Sequence, residues 1–216
     1  MQLQRQSNGK LIDLGTALAG GGEGQIYTVS QEPSLVAKIY HKPTSKYTNK
    51  LNLMLANPPN DPAAGQGRVS IAWPVDLLFV TGGNQQIAGF LMRRVTQVHP
   101  IHDFYNPKSR RQHSPFFNYL YLLRTARNLA AAVQSLHASG YVIGDVNESN
   151  ILLAETALVT LVDTDSFQVR DSQKGVVHRC RVGKPEFTPP ELQGKTFSDI
   201  DRTPQHDRFG LAVLIF

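Results

Sequence analysis

At 216 residues the chain has room for one large domain or two lobes with a buried core. Its 41% hydrophobic and 18% charged content fits a globular protein and excludes a disordered polar one. Lys and Arg exceed Asp and Glu by 22 − 17 = +5, a mild bias toward anionic partners such as nucleotide phosphates that is too scattered to mark a nucleic-acid binder. In chain order, a Gly-rich turn (Ala19 to Gly24) precedes four short segments rich in Ile, Val, Tyr or Phe: Gln25–Val29, Leu35–Tyr40, Ser70–Val75 and Gln86–Met92. These predict strands. Between them Thr44–Ala56 carries Leu51, Met54 and Leu55 at helical spacing and stops at Asn57-Pro58-Pro59, which predicts one interposed helix.

After Val95 the pattern changes. Lys108, Arg110 and Arg111 form the densest basic cluster, read as a solvated loop or as a phosphate or docking patch. A helix is predicted over roughly residues 117–139. Its apolar positions Leu122, Ala126, Leu129, Ala130, Val133 and Leu136 recur at three- and four-residue steps, and Gly140 supplies the stop. Two apolar runs, Ile151–Leu153 and Leu158–Val162, flank a turn at Ala154–Thr156. The sequence ends inside an apolar run, Leu211 to Phe216, which predicts a helical lobe that is incomplete at residue 216. Cys180 is the single cysteine, so an intrachain disulfide is excluded and a reducing compartment is favoured. The N-terminus lacks the apolar stretch of a signal peptide and no apolar run reaches membrane-spanning length, so a cytoplasmic protein without membrane association is expected.

Three features carry chemistry. In the Gly-rich turn, Gly20, Gly21, Gly22 and Gly24 would let backbone N–H groups approach phosphate oxygens, although hairpins of this kind also occur without ligands. Val36-Ala37-Lys38-Ile39 sets a lysine in an apolar strand, where its charge is costly unless a phosphate or carboxylate meets it or the strand face is solvated. The most specific signal is Gly144-Asp145-Val146-Asn147-Glu148-Ser149-Asn150, directly before an apolar strand, with Asp163 at the end of the next. A hairpin there returns Asp163 to Asn150, and an amide oxygen beside a carboxylate suits Mg²⁺. Asp145 then remains to orient or deprotonate a hydroxyl. Asp and Asn as plain turn formers account for each residue singly but not for their combined spacing.

Over nearly its whole length the chain resembles a Hanks-type protein kinase. The resemblance implies a two-lobed α+β fold, with an antiparallel β-rich N-lobe (residues 1–95) and a mainly helical, incomplete C-lobe (residues 96–216). It implies ATP and Mg²⁺ as cofactors and a protein substrate phosphorylated on Ser or Thr. In family terms Gly20 to Gly24 correspond to the phosphate-covering loop and Lys38, beside Ala37, to the lysine that contacts the α- and β-phosphates. Met92, Arg93 and Val95 resemble the adenine-binding hinge. Asp145 corresponds to the catalytic-loop aspartate, Asn150 to the metal-binding asparagine and Asp163 to the first residue of Asp-Phe-Gly. His137 matches the histidine near the end of the preceding helix, Thr188-Pro189-Pro190-Glu191 the close of the activation segment, and Asp207 the aspartate opening the next helix. The wording around Asn106-Pro107-Lys108, Val162-Asp163-Thr164-Asp165 and Pro189-Pro190-Glu191-Leu192 is similar to bacterial kinases with a helix-hairpin-helix DNA-binding region after the kinase domain. Any DNA association is therefore expected only through a region outside this sequence.

Departures from the family pattern bear on activity. Gly144 stands where most protein kinases have Arg, which implies activity without activation-loop phosphorylation. Asn147, in the catalytic loop, replaces a lysine that contacts the γ-phosphate. Asp163-Thr164-Asp165 replaces Asp-Phe-Gly, so the apolar switch made by Phe is altered or supplied by Phe167, and Asp165 is read as a solvated turn residue or as a second carboxylate near the metal. No Asp or Glu occurs between Lys38 and Asp61, so the helix after the lysine strand offers no carboxylate. Glu191 normally pairs with a later arginine, placed by the family pattern beyond Phe216. Three readings follow: an ATP- and Mg²⁺-dependent Ser/Thr kinase, a pseudokinase acting as a nucleotide-responsive scaffold, and a small-molecule phosphotransferase of related fold.

Overall fold

The computed structural model describes residues 2–82 and 86–216, and the chain forms two compact units, residues 1–58 with 73–94 and residues 59–72 with 95–216. The first is built on an antiparallel sheet. Its strands are β1 (Leu3–Arg5), β2 (Leu11–Ile12), β3 (Leu14–Gly20), β4 (Gly24–Val29) and β5 (Leu35–Tyr40); after helix α1 (Ser45–Ala56) come β6 (Pro74–Val80) and β7 (Ile87–Arg93). They lie in the order β2-β1-β6-β7-β5-β4-β3. One face buries Leu3, Ile12, Val29, Ala37, Leu78, Ala88 and Leu91 as a continuous apolar layer. Helix α1 starts after Thr44 and buries Leu51 and Met54; Trp73 Nε1 donates to the Met54 carbonyl at 2.9 Å.

Patterning located β4, β5, β7 and α1 to within a residue or two. The strand expected over Ser70–Val75 instead runs Pro74–Val80. Residues 70–72 belong to the second unit, where Ile71 bridges Leu161 and Ala72 N donates to Leu161 O at 2.9 Å. Burial of Ser70 to Pro74 made an apolar run that resembled one strand but serves two cores. The short strands β1 and β2 carried too few alternating residues to register.

The second unit opens with β8 (Val98–Pro100), α2 (His102–Tyr105) and α3 (Pro107–His113). The long helix α4 (Tyr119–Ala138) buries Leu129, Ala132, Val133 and Leu136 and is capped by Asn118, whose side chain accepts from Leu120 N. Strands β9 (Ile151–Ala154) and β10 (Val159–Leu161) form a hairpin beside β8, and β11 (Val169–Asp171) pairs with β12 (Val176–His178). Helix α5 (Pro204–Ile215) closes the order. The basic cluster Lys108, Arg110 and Arg111 lies on α3 rather than in a loop. Asn106 caps that helix and Arg110 Nη1 donates to Phe104 O at 2.9 Å, so one of its charges holds α2 to α3. No helix among the described residues is long and apolar enough to cross a membrane.

Candidate active site

In the first unit the Gly-rich turn connects β3 and β4, and Gly21 N donates to Gly24 O at 3.0 Å. Its glycines differ in kind. A Cβ on Gly24 would lie 2.4 Å from Ile39 O, so that position must be glycine for β4 to reach β5. Gly21 and Gly22 face open space within 4 Å, and Gly20 meets only the Gln25 side chain at 3.9 Å. Lys38 sits mid-strand on β5 opposite Ile26 and Phe90, beside Ala37. It is buried, which answers the solvated-face alternative, and its Nζ lies 5.9 Å from the Tyr40 ring centroid. The same unit carries Met92 and Arg93 at the end of β7, the former buried and the latter exposed. Val95 begins the continuous stretch of the second unit.

In the second unit the loop from Ile143 to Asn150 is bound from below by a single buried carboxylate. Asp207, 1% exposed in the first turn of α5, accepts from Ile143 N and Gly144 N, each at 2.8 Å, and meets His137 Nε2 at 2.8 Å. The three residues that family wording had set apart, His137, Gly144 and Asp207, thus form one knot. Gly144 takes φ +76°, a left-handed conformation that L side chains avoid, and a Cβ there would lie 2.7 Å from Cys180 Cβ.

Asp145 follows. Burial raises its pKa as the largest effect, hydrogen bonding from the Asn147 and Asn150 amides and the charge of Arg202 pull it down, and the charge of Asp163 pushes it up. Asn150 Nδ2 donates to Asp145 Oδ2 at 3.2 Å and to its backbone carbonyl at 3.1 Å, while Asp145 Oδ1 is buried with no partner among the described residues. A buried carboxylate oxygen left without a partner is expensive in a purely structural residue.

Asn147 has a different position. Its Nδ2 donates to Asp145 O at 3.0 Å, its Oδ1 accepts from Ser149 N at 2.9 Å, and it is 1% exposed. The side chain caps its own loop.

The β9–β10 hairpin returns the chain as the spacing predicted: Ile151 pairs with Leu161, and Val162 N donates to Asn150 O at 3.0 Å. Asp163 comes next in a left-handed conformation, φ +58°, which Asp tolerates better than most residues. With the Asn150 amide nitrogen committed to Asp145, its carbonyl oxygen is the end left for a ligand, so Asn150 and Asp163 offer one hard oxygen donor set from adjoining backbone. Two such residues fit Mg²⁺, which keeps several waters; the described residues contain no cluster of three or more His, Cys, Asp or Glu that would hold a metal unaided. Thr164 Oγ1 donates to Ala72 O at 2.8 Å, and Phe167 is 1% exposed among Leu129, Val133, Ile143 and Ile151. Asp165 is not a solvated turn residue: it is 2% exposed in the short turn Thr164–Ser166, where Thr164 is buried with it.

Two residues here escaped the sequence reading. Lys184 Nζ donates to Glu148 Oε1 at 2.7 Å and to Ser149 Oγ at 2.6 Å, tying the segment before Pro189 to the loop that carries Asp145 and Asn150. Arg202 is 4% exposed behind Gly144. Neither belongs to a motif, and nothing in their local spacing announces either contact. Glu191, further on, lies 3.8 Å from His206.

No family model matches the chain. Over 212 residues, 97% of its length, it is 41% identical to "Protein kinase YegI" of Escherichia coli (strain K12) and spans 32% of that protein. Against the protein of the same name in Escherichia coli O157:H7 the identity is 39% over the same shares. The chain therefore spans about a third of the length of the curated relatives it matches. Among solved structures it is similar to the ROP18 kinase domain in complex with AMP-PNP and sucrose, with a TM-score of 0.64 and 17% identity, covering 99% of this chain and 65% of that one. It is also similar to ROP2 from Toxoplasma gondii, described as having a protein-kinase fold and no enzymatic activity, with a TM-score of 0.63 and 18% identity, covering 99% and 65%.

Proposed function

The chain has the α+β protein-kinase-like fold, and the curated relatives it matches are named protein kinases. From this premise we propose that it is an ATP- and Mg²⁺-dependent kinase that transfers the γ-phosphate to a Ser or Thr hydroxyl of a protein. The observation that carries the reading is Asp145: a carboxylate held by Asn150, with its second oxygen buried and free of any partner among the described residues. In this reading Asp145 orients the substrate hydroxyl and receives its proton as that oxygen bonds to the γ-phosphorus and the bond to the departing ADP breaks. Asn150 and Asp163 hold Mg²⁺, which neutralises charge on the phosphates when bound. Lys38 and the backbone of Gly20 to Gly24 take the nucleotide phosphates, and Met92, Arg93 and Val95 the adenine. Asp207 keeps the Gly144–Asp145 backbone fixed, so no reorganisation is needed at the reaction.

A pseudokinase reading draws on Asn147. Because its amide is buried and turned on to the backbone of its own loop, position 147 brings no charge to the transferred group. The experiment that separates the two is Asp145→Asn in the full-length protein, assayed for γ-phosphate transfer and, by thermal shift, for ATP–Mg²⁺ binding. Transfer should fall by about 10²–10⁴-fold with nucleotide binding retained. Wild-type binding without turnover would favour the pseudokinase, and undiminished transfer by the variant would remove Asp145 from the role of base.

A further inference from the structure

The catalytic loop contains no cation between Gly144 and Asn150, yet one lies directly behind it. Arg202 reaches this place from the segment before α5. Its guanidinium sits between two glycines: a Cβ on Gly144 would come 3.2 Å from Nη1, and a Cβ on Gly183 would come 3.2 Å from Nη2. Nη2 donates to Val182 O, and Cζ lies 3.9 Å from the centroid of the Phe197 ring. The arginine backbone is anchored as firmly. Arg202 N donates to Gln168 Oε1 and Gln168 Nε2 donates to Arg202 O, both at 2.8 Å. Gln168 in turn exchanges backbone bonds with Val142, at 2.7 and 3.3 Å.

A guanidinium this deep, with Nε lacking any hydrogen-bond partner among the described residues, is costly to bury, and an aliphatic side chain would fill the space without that penalty. What an aliphatic chain cannot do is bind a carbonyl, stack on a ring and lie flat between two backbones at once. A segment ordered by phosphate needs a cation open to receive that phosphate. This one is internal and already engaged.

We propose that Arg202 is a positioning residue for phosphoryl transfer: clamped between Gly144 and Gly183, it fixes the catalytic loop to the 180–183 segment and keeps that arrangement without phosphorylation. The role in transfer rests on the kinase reading above; the clamp itself does not.

The test uses the full-length protein with Arg202→Met, Arg202→Lys and Arg202→Ala. Steady-state kinetics of γ-phosphate transfer are read beside amide hydrogen exchange over residues 143–147 and 180–187, with β7 as internal reference. For Arg202→Met, kcat should fall about 100-fold, the cost of a small misplacement of reacting groups, with KM for ATP unchanged. Exchange in both segments should quicken while β7 stays protected. Arg202→Lys should fall between, and added guanidinium ion should restore part of the Arg202→Ala rate. Phosphatase treatment of the wild-type protein should change neither rate nor exchange. Wild-type kcat and exchange in Arg202→Met would overturn the proposal, as would loss of rate or protection after phosphatase treatment. If Arg202→Met shows no cooperative melt, Arg202→Lys and the guanidinium rescue decide: absence of both an intermediate rate and a rescue overturns it. If the wild-type protein transfers no phosphate, the kinase reading fails, and exchange in the two segments still decides the clamp.

Discussion

The Gly-rich turn and the loop from Ile143 to Asn150 are both short, polar and irregular, but they are held in different ways. From Ile143 to Asn150 the loop is tied at several points, to Asp207 from one side, by Asn147 and Asn150 within the loop, and to Lys184 from the following segment, while Asp145 Oδ1 and Glu148 Oε2 have no hydrogen-bond partner among the described residues. The turn from Gly20 to Gly24 has two backbone bonds, Gly21 N to Gly24 O and His41 N to Glu23 O, each at 3.0 Å, a contact from His41 Nε2 to Gly21 O at 3.1 Å, and three glycines with space around them. A group that must meet a reacting atom to within a fraction of an ångström needs the first kind of support. A backbone that has only to drape over phosphate oxygens needs the second.

The largest break in this contrast comes from its single strongest point. Asp207→Ala strands two buried N–H groups and the His137 ring, so it should destabilise the full-length protein by about 3 kcal/mol or more in urea unfolding and abolish transfer. Next, two glycines of one turn should part company. Gly24→Ala forces its Cβ on to Ile39 O and should cost about 1–3 kcal/mol. Gly21→Ala should leave stability within about 0.5 kcal/mol of wild type and show itself only as a raised KM for ATP. Equal melting points for the two variants would erase the distinction. Lys184→Met, which removes a partly exposed ion pair, should cost about 0.5–1 kcal/mol, with the loss shrinking in high salt.

The smallest effect is a pH dependence. A hydrogen bond from Arg179, opposed by burial and joined by a hydrogen bond from Arg170, holds the Asp201 carboxyl below its ordinary range. A depressed carboxyl stabilises the fold above its unfolded pKa, and that contribution disappears as pH falls through the lowered folded value. Because the pair is open to solvent, Arg179→Met should flatten the acid limb of the stability curve by only a few tenths of a kcal/mol.

How much of this was readable beforehand depends on how local each feature is. The hairpin that joins Asn150 to Asp163 was visible because two apolar runs with a turn between them fix their own register. The strand of Lys38 and the long helix were visible for the same reason: periodicity is a property of neighbouring residues. Arg202, Lys184 and the burial of Asp165 were not visible. Lys184 depends on Glu148, 36 positions away, Arg202 lies against Gly144, 58 positions away, and the burial of Asp165 follows from no local pattern. Asn147 was misleading in another way, since its residue type suggested a missing charge while its geometry assigns it to holding the loop.

Residues 59–72 carry a practical consequence. They lie in sequence between two pieces of the first unit, yet Val69 O accepts from Thr160 Oγ1 at 2.6 Å, Ser70 O from Leu161 N at 2.9 Å and Ala72 O from Thr164 Oγ1 at 2.8 Å. Dissection at residue 94 would not yield two independent halves. The C-terminal fragment would lose the acceptors that cover β10 and leave an open strand edge just ahead of Asp163, an invitation to pair with another copy of itself. A covalently separate second unit would have to be recombined, with the 59–72 ribbon grafted back by a designed linker, before its chemistry could be studied alone.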